Sequence, residues 1–474
     1  MDGRLGWKKH IDKLVQQGEG RLGLLKRLAG IKWGANQDLM TLTYKTYIRP
    51  TIEYGNEVLL TASDNSLKAL DLLQNKALRL ITGAAKSTPI AAMEIQTGIE
   101  PLQIRREISA INLFERVKRL KIKHWDLQQS SAQRLKTQKP LAVKVSEVIA
   151  TRGLDLGRKQ PFERSCVQYG HLAEGKLNLL QPLLKDKTSE QEMRALALET
   201  IHSRYPARDW LHIYTDGSAR AATHNAGAGV YCREFTLAEP VGRMCTNFDG
   251  EVKAISMALA KLIEDQKDNP QIVLFIDSQA AILAISSRHY TDHSEVGIAR
   301  SHIAFLIERG TRVVLQWVPS HCGLTGNEQA DELARRGAEM QQPDTPLTFS
   351  AVKNVVKSSY NEKIKRTQQH QAEGKRWRTL LENPVSVTAA RKEAVACFRM
   401  TTGHDYLQKH LHRIGVVDSP MCPLCLQEEE MDSQHLPVCH ALIDVVANDS
   451  TNPHTHENKA IMTKLYWAAR SRMD

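Results

Sequence analysis

Four acidic residues stand where a packed fold has little use for charge. Asp216 lies in Tyr214-Thr215-Asp216-Gly217-Ser218, at the end of a strand-like run whose alternation puts His212, Tyr214 and Asp216 on one face. Asp277 follows Ile272-Val273-Leu274-Phe275-Ile276. A carboxylate at the tip of so apolar a run is poorly explained by packing. Glu251 precedes Ile255, Ala258 and Leu262 by four, seven and eleven residues, which places it at the margin of a helix's apolar face. Asp331 sits early in a helical pattern opening Thr325-Gly326-Asn327-Glu328, where Thr325 and Glu328 have capping-box spacing. His321 lies in the preceding loop, Pro319-Ser320-His321-Cys322-Gly323. Taken singly, each has a plain structural role: a turn residue, a charge near a helix N-terminus, a solvated face, an exposed histidine. Brought together, the carboxylates would repel one another unless cations sat among them. Hard divalent cations favour oxygen ligands, and two of them about 4 Å apart activate a water and stabilise a leaving alkoxide, as phosphodiester hydrolysis requires.

A second set lies near the end of the sequence, Cys422-x2-Cys425-x9-His435-x3-Cys439. Three thiols and an imidazole suit a tetrahedral zinc site with no open position, hence a structural one. A reduced, metal-free cluster is the alternative reading. His435 and Cys439 are four apart, so one helical turn would present both, with His412 and His440 as nearby substitutes. The other cysteines are scattered, which fits a reducing compartment better than a disulfide framework.

The elements that must position these groups change along the chain. Residues 4–125 read as helical, over Trp7–Leu28, Gln37–Tyr54, Ser66–Thr82 and Pro101–Lys121. Leu67, Leu70, Leu73, Ala77, Leu78 and Ile81 keep the spacing of one buried face. Residues 126–205 are polar and mixed and read as a poorly packed connector with one helix, Ser189–His202. Strand patterns then appear at Leu211–Thr215, Gly229–Arg233, Ile272–Ile276 and Val313–Val318, alternating with helices, one of them Asp249–Ile263. Gln341-Gln342-Pro343-Asp344-Thr345-Pro346 marks a linker, and helical segments follow.

Charge is divided along the same lines. Residues 1–208 hold 35 Lys and Arg against 21 Asp and Glu, residues 209–336 hold 12 against 16, and the remainder 17 against 16. The basic part would neutralise phosphates and the acidic part would hold cations, the plain alternative being solvated basic helices. No run reaches the ~18 apolar residues of a membrane span. The first residues have no apolar signal core. The expected setting is therefore intracellular, nucleus or cytoplasm, without secretion or membrane attachment.

In order, the segments Tyr-Thr-Asp-Gly-Ser (214–218), Thr-Asn-x-x-x-Glu (246–251), Asp-Ser (277–278) and Trp-Val-Pro-Ser-His-Cys-Gly-x-x-Gly-Asn-Glu-x-Ala-Asp (317–331) resemble the type 1 ribonuclease H domain of retroelements. The resemblance implies an α/β fold, a mixed five-stranded sheet with flanking helices, over residues 206–340. It implies two Mg2+ ions, or Mn2+, held by Asp216, Glu251, Asp277 and Asp331. Asp216 would bridge both ions, Glu251 and Asp277 would serve the leaving-group side, Asp331 would complete the site that activates water, and His321 would assist proton transfer or product release. Gly217, Ser218 and Asn247 would read the minor groove of an RNA/DNA hybrid. Ser286–Glu295 is short and carries Arg288 as its one Lys or Arg, so the basic helix that many relatives place there reads as missing, and affinity would come from the basic first 208 residues.

Leu5-Gly6-Trp7-Lys8-Lys9-His10-Ile11, Tyr47-Ile48-Arg49-Pro50-Thr51-Ile52-Glu53-Tyr54-Gly55 and Gln74-Asn75-Lys76-Ala77-Leu78-Arg79-Leu80-Ile81-Thr82-Gly83 resemble the region after the polymerase palm in Jockey-like non-LTR retrotransposon reverse transcriptases. Thr402-Gly403-His404 and His410-Leu411-x-Arg413 resemble the segment preceding the Cys/His knuckle of those elements. The implied organisation is a thumb- or connection-like helical region (1–125), connector (126–205), ribonuclease H domain (206–340), helical segment (341–400), zinc-knuckle-like CCHC segment (401–445) and tail (446–474). A polymerase needs paired aspartates, and the sequence has no Asp-Asp dipeptide, so the chain is expected to be the distal part of an element polyprotein without DNA synthesis of its own. The expected function is hydrolysis of the RNA strand of hybrids. The alternative is a catalytically silent nucleic-acid-binding remnant, which the intact acids and His321 disfavour.

Overall fold

The apolar runs rich in β-branched and aromatic residues become strands, as their fit to a pleated surface dictates. In the computed structural model of the chain, which describes residues 6–120, 139–162, 172–182, 188–221, 224–265, 270–289, 291–425, 427–446 and 459–473, they lie in a six-stranded mixed sheet. Its strands are β1 (Glu174–Lys176), β2 (Leu211–Arg220), β3 (His224–Cys232), β4 (Thr236–Gly242), β5 (Gln271–Ile276) and β6 (Arg312–Trp317). They lie in the order β1-β6-β5-β2-β3-β4. The pairs β1–β6, β6–β5 and β5–β2 are parallel, whereas β2–β3 and β3–β4 are antiparallel. β5 is buried from Ile272 to Ile276, as a central parallel strand covered on both faces must be.

Two strands go beyond the four patterns read in the sequence. β4 is an edge strand carrying Pro240, a residue with no amide to donate, which hides it from a strand search. β1 comes from the segment read as a poorly packed connector. That reading fails over its described part. Ala173, Leu179, Ala197, Ile201 and Tyr205 are all buried in the sheet's core, because β1 extends the open edge of β6 and brings its flanks with it. Residues 126–138 of that connector, and 447–458 of the tail, lie outside the described residues.

Five helices accompany the sheet: α1 (Glu190–Arg204), α2 (Asn247–Glu264), α3 (Gln279–Ser286), α4 (Ser294–Glu308) and α5 (Thr325–Glu339). Among the described residues between β5 and β6 there are two helices, α3 and α4. The capping box expected at Thr325 and Glu328 does not form. Leu324 is buried in the core and takes the N-cap position, so Thr325 falls inside the helix, where its hydroxyl cannot serve the first turn. A complete capping box opens α2 instead, from Thr246 and Asp249.

The chain divides into two compact units, residues 114–127 with 153–358, which contain the sheet, and residues 1–113 with 128–152 and 359–474. The second of these is helical. Helix Lys8–Leu28 is followed by a nearly continuous run, Gln37–Thr43, a π turn over Tyr44–Ile48, and Arg49–Ile52. Pro50 has no amide for the helical ladder, which accounts for the irregular turn before it. Helix Asp64–Thr82 buries the face read from its spacing, Leu67 to Ile81, against Trp377, Leu380 and Phe398. Carbonyls at its C-terminal end, orphaned by helix geometry, are taken by buried arginines: Arg391 Nη2 donates to Leu80 O (2.6 Å) and Arg399 Nε to Gly83 O (2.7 Å). Cys422 and Cys439 belong to a smaller core with Leu465, Tyr466 and Trp467 from helix Lys459–Met473.

Candidate active site

Strand register brings the first two acids together. β2 and β5 pair in parallel through Tyr214↔Phe275 and Thr215↔Ile276, so the next residue of each, Asp216 and Asp277, emerges side by side. Asp216 lies within β2 rather than at its end, at the point where pairing with β5 stops and pairing with β3 continues opposite Gly229. Its Oδ1 accepts a hydrogen bond from Gly217 N (2.8 Å). Asp277 is half-buried, and its backbone carbonyl accepts from Trp317 Nε1 (3.1 Å), which ties the end of β5 to the end of β6.

Glu251 arrives from the first turn of α2. That turn docks backbone to backbone on β2: a Cβ at Gly217 would fall 2.1 Å from Glu251 N, so only glycine permits the approach. α5 docks in the same manner on β3, where a Cβ at Gly229 would fall 2.2 Å from Ala330 O, and this carries Asp331 towards the site.

Carboxylate oxygens of Asp216, Glu251 and Asp277 lie within 4.8 Å of one another. Asp216 and Glu251 are each 7 % exposed. Burial, then the charges of Asp277 and Asp331, pushes the Asp216 carboxyl up to about 8. Burial, then Asp277 and Asp216, holds Glu251 well above the ordinary carboxylate range. Glu251 Oε2 is buried and accepts no hydrogen bond. An orphaned oxygen among crowded carboxylates fits a bound cation, which would supply the missing positive charge. Hard oxygen donors of this kind suit magnesium or manganese.

Asp331 stands apart from that trio. It reaches Asp216, but its Oδ2 pairs with Arg335 Nη2, one turn along α5, at 2.5 Å. His321 is exposed, in the loop between β6 and α5, in a left-handed conformation (φ 50°) that is uncommon for a side-chain-bearing residue. Asn247 is exposed at the start of α2, while Gly217 and Ser218 are half-buried on β2.

Sequence reading missed the support of the α2 N-terminus. Asp249 Oδ2 accepts from Thr246 N and Thr246 Oγ1, both at 2.7 Å, and Asp249 Oδ1 contacts His293 Nε2 at 2.8 Å. Burial acts to raise the Asp249 carboxyl, but His293 and Thr246 outweigh it and hold the group below its ordinary value. Thr246-x-x-Asp249 ahead of an apolar run is a legible capping signature. Nothing in the sequence marks His293.

The Cys/His set also converges. Cys422, Cys425, His435 and Cys439 offer ligand atoms within 4.8 Å of one another. Cys422 Sγ and Cys439 Sγ are 3.8 Å apart, and Cys425 Sγ is 3.4 Å from His435 Nε2. His435 Nδ1 pairs with Glu429 Oε2 at 2.7 Å, which aims Nε2 at the thiols and resembles the carboxylate support of metal-bound imidazoles. Burial, then the neighbouring thiols, pushes the Cys439 thiol up, a cost that a cation would reverse. The single helical turn expected to present His435 and Cys439 is instead a run of turns, with Val438 N donating to His435 O, and Cys439 caps a short 3-10 helix. Three ligands lie ahead of Cys439 on irregular backbone, so geometry other than an α-helical turn delivers the fourth. His440 and His412, the nearby substitutes, are exposed.

Residues 208–339 match the sequence model of the RNase H family, so the acids lie in an RNase H domain. Among solved structures, the chain is similar to the N-terminal RNase H domain of a Mycobacterium tuberculosis protein, solved as a fusion with maltose-binding protein. The identity is 21%, over 27% of this chain and 94% of that one, with a TM-score of 0.23.

Proposed function

We propose that the RNase H domain hydrolyses the RNA strand of RNA/DNA hybrids, with Asp216, Glu251 and Asp277 as the core of its metal site and Asp331 as a fourth ligand. The observation that carries this reading is the convergence of three carboxylates, one with an orphaned oxygen, inside a domain matching the RNase H family. Two divalent ions bound there would supply an activated water and neutralise charge on the scissile phosphate. The chain's own residues have separate tasks. The β2–β5 register fixes Asp216 beside Asp277, and α2 delivers Glu251 against them. Asp331 would serve as the fourth ligand by giving up its pairing with Arg335, whose side chain is already more than half exposed. His321, exposed on its loop, would take or give a proton at the departing product. Asn247 and the backbone at Gly217 and Ser218 would contact the hybrid's minor groove, where 2′-hydroxyls distinguish RNA from DNA. The test is Mg2+-dependent cleavage of end-labelled RNA in a hybrid by the full chain, giving 5′-phosphate and 3′-hydroxyl ends and sparing an RNA duplex. Binding without cleavage would favour the catalytically silent remnant.

The basic helical unit would add affinity for the hybrid. On helix Lys8–Leu28, the stripe His10, Lys13, Gln17 and Arg21 lines a groove with Pro50 and Tyr54. Tyr54 is 71 % exposed, and the Arg21 guanidinium lies 4.6 Å from the Tyr47 ring. Cations beside exposed aromatics suit the phosphate backbone of the hybrid. The Cys422, Cys425, His435 and Cys439 set would hold one structural zinc. The origin we infer is a Jockey-like non-LTR retroelement, from the motifs over residues 5–83 and 402–413. No helix among the described residues is long and apolar enough to cross a membrane, and an intracellular setting is part of the same proposal.

A further inference from the structure

The first turn of α2 is tied to a segment distant in sequence. Asp249 closes the capping box with Thr246 through Oδ2, and Thr246 Oγ1 in turn accepts from Asp249 N (3.2 Å). Asp249 Oδ1 is left for His293 Nε2, at 2.8 Å. A carboxylate only accepts, so the imidazole donates from Nε2. Thr246, Asp249 and His293 are all buried, and Phe248 packs edge-on against the imidazole, with ring centroids 5.6 Å apart. His293 is also the N-cap residue of α4, and its carbonyl accepts from Gly297 N (3.2 Å). One residue thus anchors the starts of two helices, by its backbone at α4 and by its side chain at α2.

Glu251 lies two residues after Asp249 in that same turn. No donor holds its Oε2, so the start of the α2 backbone contributes to where this carboxylate lies. On one side the turn rests on β2 at Gly217. On the other, the segment that opens α4 holds α2 at two polar points: His293 meets Asp249 in the first turn, and Lys253 Nζ lies 3.9 Å from Glu295 Oε1 one turn further on. We propose that His293 is a positioning residue for the nuclease: through Asp249 it fixes the first turn of α2 and so the place of the Glu251 carboxylate beside Asp216 and Asp277. The segment that reads as lacking a basic helix then acts as a brace for the catalytic helix. This inference rests on the reading of the three acids as a nuclease site.

The test uses the full chain and three proteins: wild type, His293→Ala and His293→Gln. Hybrid cleavage is measured over a range of substrate and Mg2+ concentrations, with Mg2+ binding followed separately by calorimetry. Hydrogen bonds to a metal ligand itself are worth roughly 10–100-fold in activity or metal affinity, and the His293–Asp249 pair acts on Glu251 through the helical turn they share. His293→Ala should lower kcat by a factor in that range, leave KM for the hybrid unchanged and raise the Mg2+ concentration for half-activation. His293→Gln keeps a side-chain N–H that reaches Asp249 and should restore most of the loss. Unchanged kcat and Mg2+ dependence in folded His293→Ala, with only a lower melting temperature, would overturn the proposal. If His293→Ala does not fold, His293→Gln carries the test: near-wild-type kcat and Mg2+ affinity support the brace, and a tenfold loss in the folded variant refutes it. Wild-type chain that binds Mg2+ but cuts no hybrid would instead sink the nuclease reading, and the calorimetry would still read the brace.

Discussion

Replacing Asp277 by asparagine should stabilise the metal-free protein while abolishing its catalysis. Carboxylates crowd one another at this site. The Asp216 carboxyl is pushed from an ordinary 3.8 to about 8, by burial first and then by Asp277 and Asp331. Glu251 is raised by burial first and then by Asp277 and Asp216. A carboxyl whose folded-state value is raised binds its proton more tightly in the folded chain than in the unfolded one. Stability is therefore greatest below pH ~4, where both states are protonated, and is lost as pH rises towards 8. A tenfold change in proton affinity corresponds to about 1.4 kcal/mol, so the ceiling for Asp216 alone is roughly 5–6 kcal/mol. Burial supplies the larger share and remains in the variant. Removing the Asp277 charge should then return about 1–3 kcal/mol at pH 8 in a chelator.

Amide hydrogen exchange in β5 reads this locally, without requiring both units to unfold together. At pH 8 in EDTA, the amides of Ile272 to Ile276 should be about 5–150-fold better protected in Asp277→Asn than in wild type, about 1.4 kcal/mol being a factor of ten. The advantage should shrink as pH falls and Asp216 and Glu251 take up protons. Adding Mg2+ should protect the wild type and leave the variant nearly unchanged. Equal or lower protection in the variant at pH 8 in EDTA would refute the account of the site as a repulsive cluster awaiting cations.

Other outcomes hang on single contacts. Gly217→Ala places a Cβ on the α2 backbone and should cost about 1–3 kcal/mol through overpacking, with activity lost as Glu251 is displaced; a variant with wild-type melting temperature and kcat would contradict the docking argument. Cys425→Ser should lose about one zinc per chain by elemental analysis, together with ordered structure around Met421 to Cys439; a folded, zinc-free wild type would remove the site and leave the nuclease untouched. In a salt series, Arg21→Ala and Lys13→Ala should each reduce the salt slope of hybrid binding by about one and Tyr54→Ala should weaken binding with the slope kept, whereas affinity equal to that of the isolated nuclease domain would remove the basic unit's role.

The parts of this site readable in the sequence are those where local pattern and chemistry coincide. Asp216 follows an alternating strand pattern and Asp277 an apolar run, so their strands and their oddity are visible together. That they meet is a matter of register, which depends on β2 and β5 pairing in parallel across the connection that contains α2. Glu251 is legible as a helix-margin carboxylate, but its depth comes from two glycines, Gly217 and Gly250, that let backbones touch, and a glycine in a sequence does not name its neighbour. β1 and β4 escape because a three-residue strand has no period to detect and a proline-bearing edge strand looks like a turn. The capping box at Thr325 is misread for another reason: spacing alone cannot tell that Leu324 is wanted in the core, which shifts the start of α5 by a residue. His293 is invisible because its partner lies 44 residues away, and a lone histidine next to a helix start carries no signal of its own.

The most direct test of the central claim is a side-by-side assay of the wild-type chain and Asp277→Asn on an RNA/DNA hybrid labelled in the RNA strand. With Mg2+ the wild type should cut the RNA, and a chelator should stop it. Asp277→Asn, folded by hydrogen exchange and binding the hybrid as before, should not cut. Cleavage by the variant at the wild-type rate would contradict the assignment of the three converging carboxylates as the active site.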